Sequence, residues 1–164
     1  SWPALRSLSW SVSWRGPAVG LVVFGCWALG AHFLTSQTPI PSKLAALSPT
    51  LGGLWIAIRI GSSVILVPLA EELAYRGFLL RRLVAAEFQT VRFQAVRPWA
   101  LLVTAIAFGV GHGSMWLPGI AAGLLYGAEL IRSGSMGEAV AAHATTNGLI
   151  AAWVLLGDQW QLWE

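Results

Sequence analysis

The sequence predicts an all-α fold, a polytopic transmembrane bundle of about five to six helices. Three observations predict it. The 164-residue chain is 56% hydrophobic and only 10% charged, where a soluble domain carries roughly 25% charged residues. Its apolar residues gather into five long runs, at 17–34, 52–80, 99–112, 117–131 and 136–156. Its arginines crowd into one of the connections between those runs, as short cytoplasmic loops require. At this length a second domain would leave neither half enough chain for its own core, so residues 1–164 read as a single membrane-embedded domain. The chain starts at Ser1 without a signal-like n-region, as expected of a piece excised from a longer protein. The lone Cys26 has no partner in the sequence, so a disulfide framework and a cysteine-based zinc site are both excluded.

Taken in order, the first run, 17–34, carries one ionisable residue, His32, and reads as a plain crossing helix. The second, 52–80, exceeds the roughly 20 residues that a perpendicular helix needs, and Pro68 marks a place for a break in it. Several runs are shorter than that length, so their ends are expected to extend into the flanking turns, with room for one re-entrant segment. Five crossings follow. In the fourth run Gly119, Gly123 and Gly127 repeat on one face, a surface on which another backbone can approach closely where lipid offers no hydrophobic drive for association.

Arg81, Arg82, Arg92 and Arg97 lie between the second and third runs. With that connection in the cytoplasm, Arg6, Arg15 and Arg132 fall on the same side, while Lys43, Asp158 and Glu164 fall outside. The N-terminus is therefore expected inside and the C-terminus outside. Trp10, Trp14 and Trp99 then sit at inner edges, and Trp55, Trp116, Trp160 and Trp163 at outer ones, as interfacial belts do.

Costly residues interrupt this apolar background: Arg59, Glu71, Glu72, Arg76, His112, Glu129, His143 and Asn147. An ionisable group near the bilayer centre costs about 3 kcal/mol or more unless paired or hydrated. At 1.5 Å per residue from the inner edge of each run, Glu71 lies about 15 Å deep, His112 about 20 Å, His143 about 10 Å and Asn147 about 16 Å. Arg59, about 33 Å away, reads as a snorkelling residue at the outer interface. Glu72 and Arg76 are four apart and face each other, as are His143 and Asn147. Glu71 is turned about 100° from Glu72, next to Tyr75, and needs a counter-charge from another helix; His112, between Gly111 and Gly113, is the expected donor. A carboxylate beside an imidazole in a partly dry cavity can hold and pass a proton and so activate water. His143 and Asn147 can each donate a hydrogen bond to the oxyanion formed when water adds to a peptide carbonyl.

Three motifs on these residues resemble those of the CAAX protease and bacteriocin-processing (CPBP) family of intramembrane glutamic endopeptidases. Glu71-Glu72-Leu-Ala-Tyr-Arg76 is similar to E-E-x-x-x-R, Phe108-Gly-Val-Gly-His112 to F-x-x-x-H, and His143-Ala-Thr-Thr-Asn147 to H-x-x-x-N. They occur in that order between about Gly52 and Leu156, each on an apolar run. The resemblance implies a hydrolase that cuts a peptide bond of a membrane-associated protein: Glu71 and His112 activate the water, His143 and Asn147 form the oxyanion hole, and Glu72 and Arg76 support the site. It implies no cofactor, no metal and no nucleic acid. The stretch from Gly111 to Gly119 and the Trp-rich tail are further similar to family members associated with exosortase protein sorting. That similarity implies a bacterial inner membrane and an exosortase-type partner or fused domain. Family members often have more than five crossings, which fits helices supplied by the rest of a longer chain.

Three other readings compete. Two histidines and a carboxylate can bind zinc, although no H-E-x-x-H occurs and Asn is a poor fourth ligand. A bacteriocin-immunity type of protein would bind a peptide or partner without cutting it. A proton-coupled carrier around Glu71 would be expected to show an internal repeat, which this sequence lacks.

Overall fold

The computed structural model describes residues 8–163. Five helices carry the architecture: α1 (Arg15–Leu34), α2 (Pro49–Arg82), α3 (Pro98–Val110), α4 (Trp116–Ser133) and α5 (Met136–Gly157). Each coincides with one apolar run. Their ends follow local chemistry. Pro49 and Pro98 occupy first-turn positions, where the missing N–H costs nothing, and the Ser48 hydroxyl accepts from Leu51 N–H as a cap. Gly134, at φ 70°, closes α4 with its N–H on the Leu130 carbonyl.

Four of the five helices are long and apolar enough to cross a membrane; α3 is the shorter one. The run 99–112 is one of those expected to fall short of a perpendicular crossing, and its helix has 13 residues. The run 99–112 stops being helical at Val110 because Gly111 and Gly113 flank His112, and Gly113 takes φ 57°, a left-handed conformation open to glycine. One 3₁₀ turn, Gly113–Met115, then reverses the chain into α4.

The glycine stripe of α4 finds its neighbour within the same chain. A Cβ at Gly119 would lie 2.9 Å from Gly109 Cα, one at Gly123 would lie 2.8 Å from Ala105 Cα, and one at Gly127 would collide with the Leu101 side chain. Positions advance by four on α4 while they retreat by four on α3, so the two helices are antiparallel in backbone-to-backbone contact. Gly16 and Gly20 of α1 serve the same purpose against α5, where a Cβ would meet Glu138 and Thr145. Large apolar side chains on the outward faces of α1 and α2, among them Leu21, Leu29, Phe33, Leu54, Ile58 and Ile65, are exposed, as a face turned to lipid requires.

Helix α2 is not uniform. It passes through π-helical turns at Ser62–Leu66 and again at Glu72–Leu79, on either side of the segment that contains Pro68. Val67 N–H reaches back five residues to the Ser62 carbonyl. The next donor in that register would be Pro68, which has none, so the Ser63 carbonyl is left for a partner outside the helix.

At the end of the bundle where α1 and α5 begin, polar groups are matched. Glu138 receives the N–H groups of Ser13 and Gly16, each at 2.8 Å, and so caps α1. Glu129 is paired with Arg132. Trp14, Trp55, Trp99 and Trp116 are exposed, whereas Trp160 is buried against Ile150 and Val154 and is not a belt residue. Arg6 and Glu164, which entered the charge comparison, lie outside the described residues.

Candidate active site

The first polar level belongs to α2. Glu72 and Arg76 are fully buried, and Arg76 Nη1 lies 3.2 Å from Glu72 Oε1, the ion pair expected from their spacing. Arg76 also donates to the Gly123 carbonyl at 3.2 Å and places its guanidinium 4.3 Å from the centre of the Phe108 ring. A desolvated cation over an aromatic face is worth about 2 kcal/mol, so this arginine is held from three sides.

The second level is α5. His143, 3% exposed, lies against Tyr126 with ring centres 5.0 Å apart and planes at 19°. Its Nδ1 is 3.0 Å from Glu72 Oε1, and its Nε2 is 3.8 Å from Glu71 Oε2. The ring is therefore fixed by one carboxylate and presented to the other. Tyr126 is fixed in turn: its hydroxyl donates to Thr146 Oγ1 at 2.8 Å, and Thr146 bonds the Gly20 carbonyl of α1 at 2.9 Å. One turn after His143, Asn147 Nδ2 donates to the Ser63 carbonyl at 2.8 Å, the carbonyl that Pro68 leaves without its π-register donor. An amide nitrogen carries two N–H groups, so one remains for another acceptor.

His112 comes from the turn after α3. Its Nδ1 is 2.7 Å from the Phe108 carbonyl, four residues back. A carbonyl can only accept, so Nδ1 carries the proton and Nε2 of the neutral ring is an acceptor. Trp27 and Phe108 pack against the ring, with centres 5.4 Å and 4.5 Å away.

Glu71, His112, His143 and Asn147 all line one cavity of about 160 Å³, enough for several waters. The spread of depths expected from straight helices disappears because His112 sits in a turn beyond α3 and α2 is re-registered by its π segments. Glu71 is half-buried, and its Oε2 is closed to solvent with no hydrogen-bond partner. The imidazole nearest to it is His143, on α5; no ion pair joins Glu71 to His112. That corrects the pairing expected from sequence, because orientation across helices depends on register, and Tyr126 and Glu72 orient His143. Among the described residues, no three His, Cys, Asp or Glu side chains are grouped to hold a metal ion.

Sequence reasoning missed several residues. Arg59, expected as a snorkelling residue at the outer interface, also lines the same cavity, donates from Nη2 to the Trp163 carbonyl at 3.0 Å and lies 5.7 Å from the Trp163 ring centre. Its turn inward could have been suspected from the spacing Arg59, Ser63, Val67, Glu71, four positions each four residues apart and all on the cavity wall. Phe108 stands in the F-x-x-x-H motif but was assigned no role, and Tyr126 lies outside all three motifs and gave no signal, since an aromatic residue in an apolar run reads as packing.

With this geometry in hand, comparison with known proteins adds one positive finding. The family model for Rce1-like proteins, described as type II CAAX prenyl endopeptidase Rce1-like, matches residues 53–149. No curated protein and no solved structure matches the chain.

Proposed function

The chain belongs to the Rce1-like family of type II CAAX prenyl endopeptidases and is an integral membrane peptidase, and we propose that it hydrolyses a peptide bond of a membrane-associated protein with water activated at Glu71. The observation that carries this reading is the state of Glu71: a carboxylate oxygen closed to solvent, without a hydrogen bond, on a cavity shared with two imidazoles and a primary amide. The Glu71 side chain as a whole is half-buried and lines that cavity, where a water can meet its open part.

In the proposed reaction Glu71 takes a proton from water while His112 Nε2 accepts from the same water and orients it. The water oxygen bonds to the scissile carbonyl carbon, and the carbonyl oxygen becomes an oxyanion. The free N–H of Asn147 and Nε2–H of His143 donate to it. Since His143 gives its Nδ1–H to Glu72, it donates from Nε2 only as the imidazolium, and Glu72 balances that charge. The proton on Glu71 then passes to the leaving amine as the carbon–nitrogen bond breaks. Preorganised donors of this kind act without reorganisation at the moment of reaction. Arg76 holds Glu72 in place through their contact at 3.2 Å; it does not touch the substrate.

The same proposal puts the N-terminus in the cytoplasm, on the charge bias of Arg81, Arg82, Arg92 and Arg97. The bacterial inner membrane and an exosortase-type partner are carried by the motif resemblance and belong to this proposal as well.

The test is Glu71→Gln, which keeps shape and removes the base. Cleavage of a co-expressed membrane substrate should fall at least about a hundredfold, with folded yield unchanged. A strong chelator should leave wild-type cleavage intact. Loss of cleavage on chelation with rescue by zinc would replace the glutamic mechanism with metal ligation by His112 and His143.

A further inference from the structure

Among the described residues, Arg59 is the one arginine or lysine on the cavity wall, and the reaction above does not use it. No carboxylate among the described residues is paired with it; its Nη2 holds the Trp163 carbonyl, and its Nε is closed to solvent without any hydrogen-bond partner. A guanidinium is a five-donor group suited to a planar acceptor, and the hydrogen bond it makes among the described residues uses one nitrogen, on the Trp163 carbonyl.

Its position is built. In a 3.6-residue helix a spacing of four drifts about 40° at each step, so Arg59 would stand about 120° away from Glu71 around α2. The π turn at Ser62–Leu66, with its wider i→i+5 bonds, takes up that drift. Arg59, Ser63, Val67 and Glu71 thereby share one wall. Twelve residues of helix separate Arg59 from Glu71 by about 18 Å at most, a distance that an extended peptide covers in about five residues. The Trp163 carbonyl shows the chemistry on a small scale: Arg59 already holds a main-chain acceptor of a peptide segment at the end of the cavity away from Glu72.

We propose that Arg59 is a specificity-determining residue that binds a carboxylate of the substrate within about five residues of the scissile bond. The carboxylate is either the free C-terminus of the peptide or an Asp or Glu side chain. This rests on the peptidase reading above for its meaning, but not for its measurement. A substrate so anchored is held at two points, by Arg59 at one end and by the groups around Glu71 at the other.

The experiment measures binding to the Glu71→Gln protein in detergent micelles, so that turnover is not required. Three probes are titrated: dansyl-AVLAIL as the free acid, the same peptide as its carboxamide, and dansyl-AVEAIL as its carboxamide. At least one acidic peptide should bind about tenfold tighter than the neutral carboxamide, as expected for one charge-assisted hydrogen-bonded pair. Preference for the free acid assigns a C-terminus, and preference for the internal Glu assigns a side chain. Adding Arg59→Gln should bring the acidic and neutral peptides within about twofold of each other, with the neutral peptide little changed, and Arg59→Lys should keep part of the preference. Absence of any acid preference in the Glu71→Gln protein overturns the proposal without recourse to a variant at Arg59. So does a preference that survives Arg59→Gln. Failure of the peptidase reading would show separately, as cleavage that persists in Glu71→Gln.

Discussion

Glu138 and Glu71 are both carboxylates within helices of an apolar bundle, and their surroundings are opposite. Around Glu138 every demand is met: two backbone N–H groups at 2.8 Å occupy its two oxygens, and the cost of burying it is offset by capping α1. Around Glu71 the demands are left open, with a carboxylate oxygen lacking any hydrogen bond, a histidine held at 3.8 Å, and an arginine on the same wall whose Nε is also unmatched. Glu72 stands between the two cases. It is buried like Glu138 and shares Arg76 and His143, yet its second oxygen is unpartnered. Structural polar groups in an apolar medium are closed off by fixed partners. Under the proposed reaction, the groups that exchange a proton or receive a substrate are the ones left with hydrogen-bonding capacity unmet by protein, and they are expensive enough that a fold retains few of them.

The largest effect is expected where the matched and open regions join. Arg76→Ala removes the counter-ion of fully buried Glu72 and should cost about 3–5 kcal/mol, seen as loss of monodisperse protein and a lower unfolding temperature in detergent. Protein that folds normally but does not cleave would move Arg76 into the open class and break the comparison. Asn147→Ala should next reduce cleavage about a hundredfold, roughly 2.7 kcal/mol of transition-state stabilisation, with KM affected less than kcat. A loss of stability with kcat retained would place Asn147 with Glu138, as a tie from α5 to the Ser63 carbonyl and nothing more. The smallest effect is expected at Glu138→Gln. One acceptor oxygen is replaced by an amide nitrogen facing a backbone N–H, which should cost about 1–3 kcal/mol of stability and leave cleavage per folded molecule unchanged.

Much of the fold is legible in the chain because each contribution is local. Transfer of an apolar run into lipid depends on that run alone, and all five runs became helices. The spacing of Glu72 and Arg76 specified their pairing for the same reason, since four residues apart on one helix is contact whatever surrounds it. The glycine stripe announced a close neighbour but not its identity; that neighbour proved to be α3, through Leu101, Ala105 and Gly109. The expected partner of Glu71 was the histidine whose glycine flanks allow close approach. Those glycines end α3 instead, and His143 is the ring turned to Glu71.

The sequence by itself determined that this chain is an apolar helical bundle and that a short set of carboxylate, imidazole, guanidinium and amide groups had to be accommodated inside it. Both follow from the price of each residue in lipid, which is a property of the residue and its nearest neighbours. The tertiary structure alone decided which imidazole faces which carboxylate, that Asn147 is anchored on Ser63, and that Arg59 turns into the cavity. These depend on helix register, and register is reset in α2 by two π segments and a proline whose effect is felt on α5, 84 positions away in the chain for Asn147 and Ser63.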